Sequence, residues 1–180
     1  MVIPCYNSLQ FLGATLDAVL AQELTPSLQN QFEVILVDDG GSDDLSGWVQ
    51  QRGDDRVRVV RQENAGVSAA RNLGIASANG AFVAFCDSDD MWNPRAMAEL
   101  YSCFDSDPRI GLAYGFYEVV DAAGESTGRI RKSQIEGDVW EQFLSVNPVG
   151  ASGVMVRREV FEQVGVFAEN RDRFWVDVED

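Results

Sequence analysis

Two kinds of hydrophobic pattern alternate from residue 1 to about residue 108. Met1–Pro4, Phe32–Val37, Val57–Val60 and Ala81–Cys86 are short apolar runs with little polar alternation. Runs of that length, bounded by turn residues, predict strands buried on both faces. Between them the period lengthens. Ser8–Gln22 places Leu12, Leu16, Val19 and Leu20 on one side, the spacing of an amphipathic helix, with Asn7 or Ser8 as its cap. Asp43–Gln51 predicts a short helix and Gly66–Ala78 an Ala-rich one. Asn93–Asp105 predicts a fourth, with Pro94 at its first position, where a missing N–H is tolerated. Four strand–helix units in succession predict a parallel sheet covered on both faces, joined by right-handed crossovers.

Beyond residue 108 the pattern is mixed. Ile110–Asp121 reads as a longer strand with some alternation, Ala122–Gly124 as a turn, and Gly128–Ser133 as a segment pairing back. Gly137–Ser145 reads as a helix, Gly153–Val156 as extended and Arg158–Val164 as helical; Arg157 and Arg158 are better explained by the start of that helix than by an anionic ligand. There is no internal repeat, low-complexity segment or linker. The expected architecture is one α/β domain over residues 1–180: a mostly parallel, Rossmann-like central sheet with helices on both faces, plus a smaller mixed part from residue 109 onward.

Composition then narrows the chemistry. With 180 residues, 46% of them hydrophobic and 24% charged, the chain is long and apolar enough to build a core, so disorder and fibrous structure are excluded. The net charge of −15 disfavours nucleic acid and anionic membrane surfaces as partners. The absence of histidine removes every Ser-His, Cys-His and His-metal mechanism and leaves acid–base work to carboxylates. Three cysteines without a C-x-x-C argue against a disulfide framework and fit a reducing, cytoplasmic setting; Cys5 and Cys86 read as small core residues. Neither a signal peptide nor a membrane span is expected.

Candidate chemistry lies where strands end. The first predicted strand runs into Pro4-Cys5-Tyr6-Asn7, the second into Asp38-Asp39-Gly40-Gly41-Ser42, the fourth into Asp87-Ser88-Asp89-Asp90. In open α/β sheets ligands bind beyond the carboxyl ends of the strands. A parallel sheet would bring five carboxylates to one edge, where like charges raise each other's pKa unless a cation sits among them. Oxygen ligands alone point to Mg²⁺ or Mn²⁺, ions that share carboxylates with phosphate oxygens. Each motif also has a plain structural reading. Asp38-Asp39 serves as a turn, Asp87–Asp90 as a capping cluster, Tyr6-Asn7 as a strand-to-helix turn and the Ala65–Ala78 run as a tightly packed helix. It is their conjunction that points to a site.

These segments carry a family resemblance. VIPCYN (2–7), VILVDDGGSDD (34–44), RQENAGVSAARNLGIASANGAFVAFCDSDDMW (61–92) and WVDVED (175–180) resemble the family 2 glycosyltransferases, which have the glycosyltransferase-A fold. The resemblance implies that Pro4 and Tyr6 line a nucleotide base, Tyr6 by stacking, with Asn7 closing the same block. It implies that Asp39 accepts a hydrogen bond from the base while Asp38 supports the turn. Asn64, Gly66 and Arg71 would pack near base and ribose, and Arg71 would help neutralise a diphosphate. Asp87-Ser88-Asp89 corresponds to the family's D-x-D motif: Asp87 reaching the ribose with Ser88 beside it, Asp89 holding the metal, Asp90 a supporting or alternate ligand. In Glu179-Asp180 the aspartate would be the catalytic base. Val149–Phe167 resembles the acceptor-side block, in which the small residues 150–153 would let a sugar approach the backbone.

The implied function is inverting, metal-dependent transfer of a sugar from a nucleotide-diphosphate sugar, most commonly a UDP-sugar in this family, to a glycan or lipid-linked acceptor hydroxyl. Mn²⁺ or Mg²⁺ is the implied cofactor. The chain is expected in the cytoplasm, or at the inner face of the membrane through partners or further segments. Family members usually continue past the acidic pair, so truncation at the C-terminal end is expected, and nucleotide-sugar binding without turnover is the alternative. Two more distant alternatives are a response-regulator receiver domain, imitated by VILVDDG and Asp87, and a dehalogenase-type phosphotransferase, imitated by AFVAFCDSDDM.

Overall fold

The computed structural model describes residues 1–24, 28, 31–121, 124–132, 137 and 149–169. Strands β1 (Val2–Cys5), β2 (Val34–Asp38), β3 (Val57–Arg61) and β4 (Phe82–Phe85) alternate with helices α1 (Leu9–Leu20), α2 (Leu45–Arg52), α3 (Val67–Ser77) and α4 (Ala96–Ser106). Then come β5 (Leu112–Tyr114), β6 (Tyr117–Val120), β7 (Ser126–Arg131), β8 (Val154–Arg157) and α5 (Arg158–Val164). The main sheet has the order β3-β2-β1-β4-β8-β5, parallel from β3 to β4 and antiparallel on either side of β8.

Side-chain alternation along the strands explains the two layers. Ile3, Cys5, Val34, Leu36, Ala84 and Met155 point to one face, where Leu12 and Leu16 of α1, Leu45 of α2 and Leu100 and Phe104 of α4 meet them. Val2, Ile35, Val37, Val83, Phe85 and Val154 point to the other, against Ala70 and Ile75 of α3 and Val160 and Phe161 of α5. Each fully buried Leu, Ile or Phe stabilises the fold by about 1.5–3 kcal/mol. Helices therefore cover both faces, as the unbroken apolar runs predict.

Three local expectations are corrected. The strand expected over 110–121 breaks at Gly115-Phe116: β5 stays in the main sheet, while β6 pairs with β7 in a separate antiparallel hairpin. Pro94 is not the first residue of α4; it sits in a turn closed by the Ala96 N–H on the Asn93 carbonyl at 2.9 Å, and the helix begins at Ala96. Neither Asn7 nor Ser8 caps α1 through its side chain. The Leu9 N–H instead donates to Asp43 Oδ2 at 3.1 Å, a cap supplied from 34 positions away. The helix expected over 137–145 lies, apart from Gly137, outside the described residues. In α5 the helix reading of Arg157 and Arg158 holds. Arg157 donates to the carbonyls of Ile110 and Phe104, and Arg158 donates to that of Ala78. Among the described residues no helix is long and apolar enough to cross a membrane.

Candidate active site

Chain order 1, 2, 3 runs outward on one side of β1, and β4 then returns to the other side, so β1 and β4 flank the topological switch point of the sheet. Their pairing is short: one register pair, Val2↔Phe85, against four between β1 and β2. Continuing that register sets Ser88 level with Cys5, and Cys5 pairs with Asp38. The polar ends of β1, β2 and β4 thus arrive at one height on one edge.

A cleft of about 420 Å³ opens there. Pro4, Cys5 and Tyr6 form one wall, Asp39 the second, Val67, Ala70 and Arg71 of α3 the third, and Asp87, Ser88 and Asp89 the fourth. The Tyr6 side chain is exposed, leaving a ring face for a planar ligand. Val67 and Ala70 escaped the sequence reading because they look like any residues of an Ala-rich helix. Val67 lies one helical step, four residues, before Arg71, and that spacing is a signal that could have found it; nothing comparable marks Ala70.

The five aspartates do not form a common cage, which corrects the expectation of a shared acidic cluster. Asp38, buried, turns away from the cleft: its carboxylate accepts from the Gly41 N–H at 3.0 Å and pairs with Arg61. Its hydrogen bond from Gly41 closes the turn after β2. Asp39 is also buried but lines the cleft. Its Oδ1 accepts from Gln62 Nε2 at 2.7 Å and the Ala65 N–H at 2.9 Å, and its Oδ2 from the Gly66 N–H at 2.9 Å. It therefore fastens the turn that leads into α3, Ala65 and the N-cap residue Gly66, while facing the cavity. Gln62 was absent from the expected site.

Asp87 Oδ1 accepts from Arg71 Nη2 at 2.7 Å, so the cation that the resemblance assigns to a diphosphate is paired with the first carboxylate of D-x-D. The 87–90 loop is held from three sides. Thr15 of α1 donates to the Ser88 carbonyl at 3.0 Å, the Asp87 N–H donates to Ser152 Oγ at 3.2 Å, and the Asp90 N–H donates to the Asp87 carbonyl at 3.1 Å. Beneath it, burial pushes the thiols of Cys5 and Cys86 up to about 12, so both remain neutral, as their reading as core residues requires. Burial also raises the Asp90 carboxyl; a hydrogen bond from Ser152 opposes this, and the charges on Asp87 and Asp89 add to it.

Besides Asp38, Asp90 does not line the cleft wall, and three more expected site residues stand outside it. Asn7 has φ 50 and its Oδ1 accepts from the N–H and hydroxyl of Ser42 at 2.7 and 3.0 Å, fastening the loop after β2 to the loop after β1. Asn64 is exposed, its backbone pressed so close to Gly40 that a Cβ there would meet its nitrogen at 2.6 Å. Gly66, at φ 91, is the N-cap residue of α3. Glu179 and Asp180 lie outside the described residues.

Among the described residues no three Asp, Glu, Cys or His side chains converge closely enough to hold an ion. The donor set nevertheless fits a divalent cation shared with a ligand. Asp87 and Asp89 line one wall, and their charges add to the upward push that burial gives the neighbouring Asp90 carboxyl. Mg²⁺ and Mn²⁺ sites commonly take one or two carboxylates when phosphate oxygens complete the shell.

Taken together, this is an α/β domain with a cleft at the switch point of a mostly parallel sheet and an acidic loop on one side of it. The chain belongs to glycosyl transferase family 2, whose family model matches residues 1–165. It is 30% identical to the minor teichoic acid biosynthesis protein GgaA of Bacillus subtilis, over 98% of this chain and 41% of GgaA. Its fold is that of S. aureus TarS 1-349, solved in complex with UDP: TM-score 0.67, 20% identity, 93% of this chain and 49% of that one. It is also that of the mannosyltransferase PcManGT from Pyrobaculum calidifontis, solved with GDP-Man and Mn²⁺: TM-score 0.66, 20% identity, 94% and 47%. The chain spans about a quarter to just over half of the length of curated relatives it matches. Membership of this family displaces the receiver and dehalogenase alternatives.

Proposed function

We propose that the chain is the donor-binding part of a glycosyltransferase that moves a sugar from a nucleotide-diphosphate sugar to an acceptor hydroxyl, with inversion at the anomeric carbon. The observation that carries this reading is the cleft at the β1/β4 switch point, where Tyr6, Asp39, Arg71 and Asp87–Asp89 face one cavity. Residues 1–108 would bind the donor and residues 109–180 would face the acceptor. Pro4 and Tyr6 would hold the base by stacking, and Asp39 has an Oδ2 lone pair left to accept an N–H from it. Asp87 would reach the ribose, and Arg71 would bring positive charge to the diphosphate.

Asp89 and Asp87, with Asp90 in support, would hold Mn²⁺ or Mg²⁺, which as a Lewis acid stabilises the charge that builds on the departing diphosphate. Within this scheme Asp180, assisted by Glu179, takes the proton of the attacking hydroxyl; one base and no carboxylate nucleophile correspond to direct displacement. A UDP-sugar is the proposed donor, and TarS solved with UDP supports that choice of base; PcManGT with GDP-Man makes a guanine donor the comparison to run. The likeness to GgaA supports an acceptor in cell-surface polysaccharide synthesis. Three unpaired cysteines, two of them buried, fit action in the reducing cytoplasm.

Calorimetric titration with UDP- and GDP-sugars, with and without Mn²⁺, tests the reading. Binding should require the metal, and Asp89→Ala should remove the metal dependence. Equally tight binding in both proteins without metal would refute the role of Asp89. Binding without transfer to any acceptor would favour a donor-binding module.

A further inference from the structure

After α5 the chain returns over α3, and its contacts there are specific. The Phe167 N–H donates to Asn72 Oδ1 at 2.9 Å, and Asn72 Nδ2 donates to the Phe167 carbonyl at 2.9 Å and to Glu169 Oε1 at 2.6 Å. One side-chain amide thereby pairs with both backbone groups of a single residue, as a neighbouring strand would. This fixes Phe167 edge-on to Phe85, with ring centroids 5.4 Å apart and planes at 85°. Phe85 is the last residue of β4, two positions before Asp87. The same Phe167 ring lies 5.6 Å from Cζ of Arg71, the residue next to Asn72 on α3.

Arg71 is thus enclosed. Its side chain is 11% exposed; Nη2 holds Asp87, the ring of Phe167 lies within cation–π range, and Nε is buried without a hydrogen-bond partner among the described residues. A guanidinium screened from water by an aromatic ring interacts more strongly with anions, because the local dielectric falls. The orphaned Nε–H also leaves this cation with donor capacity unspent beside the cleft it lines.

We propose that Asn72 and Phe167 form a latch: the 165–169 segment is a positioning element that desolvates and orients Arg71 toward an anionic ligand in the cleft. Phe167 acts through Arg71 and is a positioning residue. The inference rests on the nucleotide-sugar reading for the identity of the anion, but not for the latch itself. It also ties the 165–169 segment, beyond α5, to the cleft through Asn72 and Arg71.

The test is a double-mutant cycle read by UDP affinity, with Phe167→Leu preserving bulk and apolarity while removing the ring. Phe167→Leu should weaken UDP about fivefold to tenfold, and Phe167→Trp should restore it. In an Arg71→Lys background the same Phe167→Leu change should matter by less than about twofold. An equal loss in both backgrounds, or no loss in either, overturns the proposal. Hydrogen exchange of the Arg71 Nε–H, followed by NMR without nucleotide, is the second measurement. It should be slow in the wild type and faster in Phe167→Leu and Asn72→Ala; unchanged exchange overturns the latch. A wild type that fails to bind UDP would overturn the choice of donor, and the exchange comparison would then decide the latch alone.

Discussion

The first four strands and the β6–β7 hairpin are held by different forces. Every residue of β1 and β2 is buried, whereas every residue of β7 is exposed. In the former, helices cover both faces and the strand ends are fixed by packing over their whole length. The polar residues that follow each strand are then free to face solvent or ligand. In the hairpin no element among the described residues lies over the pairs Tyr117↔Arg131 and Val119↔Arg129, and a register shift falls between Val119 and Val120. Two strands without a covering layer are marginal on their own. The site is built on the first region because preorganised side chains need rigid strand ends.

The largest test of this contrast pairs one core position with one in the hairpin. Phe85→Ala should cost about 3–5 kcal/mol in urea denaturation, since it empties a buried site between α3, α5 and β8. Ile130→Ala should stay within about 0.5 kcal/mol. A comparable loss at Ile130 would mean that the hairpin is covered in solution and would break the contrast. A smaller effect sharpens it at the helix–sheet seam. A Cβ on Gly74 would collide with the side chain of Val2, so Gly74→Ala should destabilise by about 1–3 kcal/mol and push α3, with Arg71, away from β1. Thermal denaturation together with UDP binding checks both consequences.

The smallest effect is expected at Asp90, in the acidic loop beside the cleft. The Asp90 carboxyl is raised in the folded protein, so it binds its proton more tightly folded than unfolded. Stability therefore falls as pH rises from the ordinary carboxylate range through the raised value. Asp90→Asn should give a slightly higher Tm than the wild type at neutral pH and the same Tm below about pH 3. A variant that is less stable at neutral pH would show that the charge is compensated.

The limits of the sequence appear at particular residues. Composition and periodicity do not distinguish Asp38 from Asp39, which only the family resemblance separates, yet their side chains face opposite ways at the end of β2. One carboxylate meets Arg61 behind the turn, while the other meets Gln62 and the N–H groups of Ala65 and Gly66, just before α3, at the cleft. Asn7 reads as a cap but bonds Ser42, 35 positions away. The break between β5 and β6 is equally invisible, because the Gly115 N–H leaves the strand to meet the Gly153 carbonyl at 3.0 Å, beside the inserted β8. Arg71 carries no mark in the sequence that it will be held by Phe167.

Local periodicity therefore sufficed for the four strand–helix units, the double covering of the sheet and the polar character of three strand ends. Each of these depends on whether a side chain faces water or apolar neighbours over a few residues. Tertiary structure alone decided that β4 returns beside β1, that β8 runs against it, and which cation or N–H each aspartate receives. Those partners are brought together by the packing of elements far apart in the chain, and no short-range pattern encodes which of several similar groups will meet.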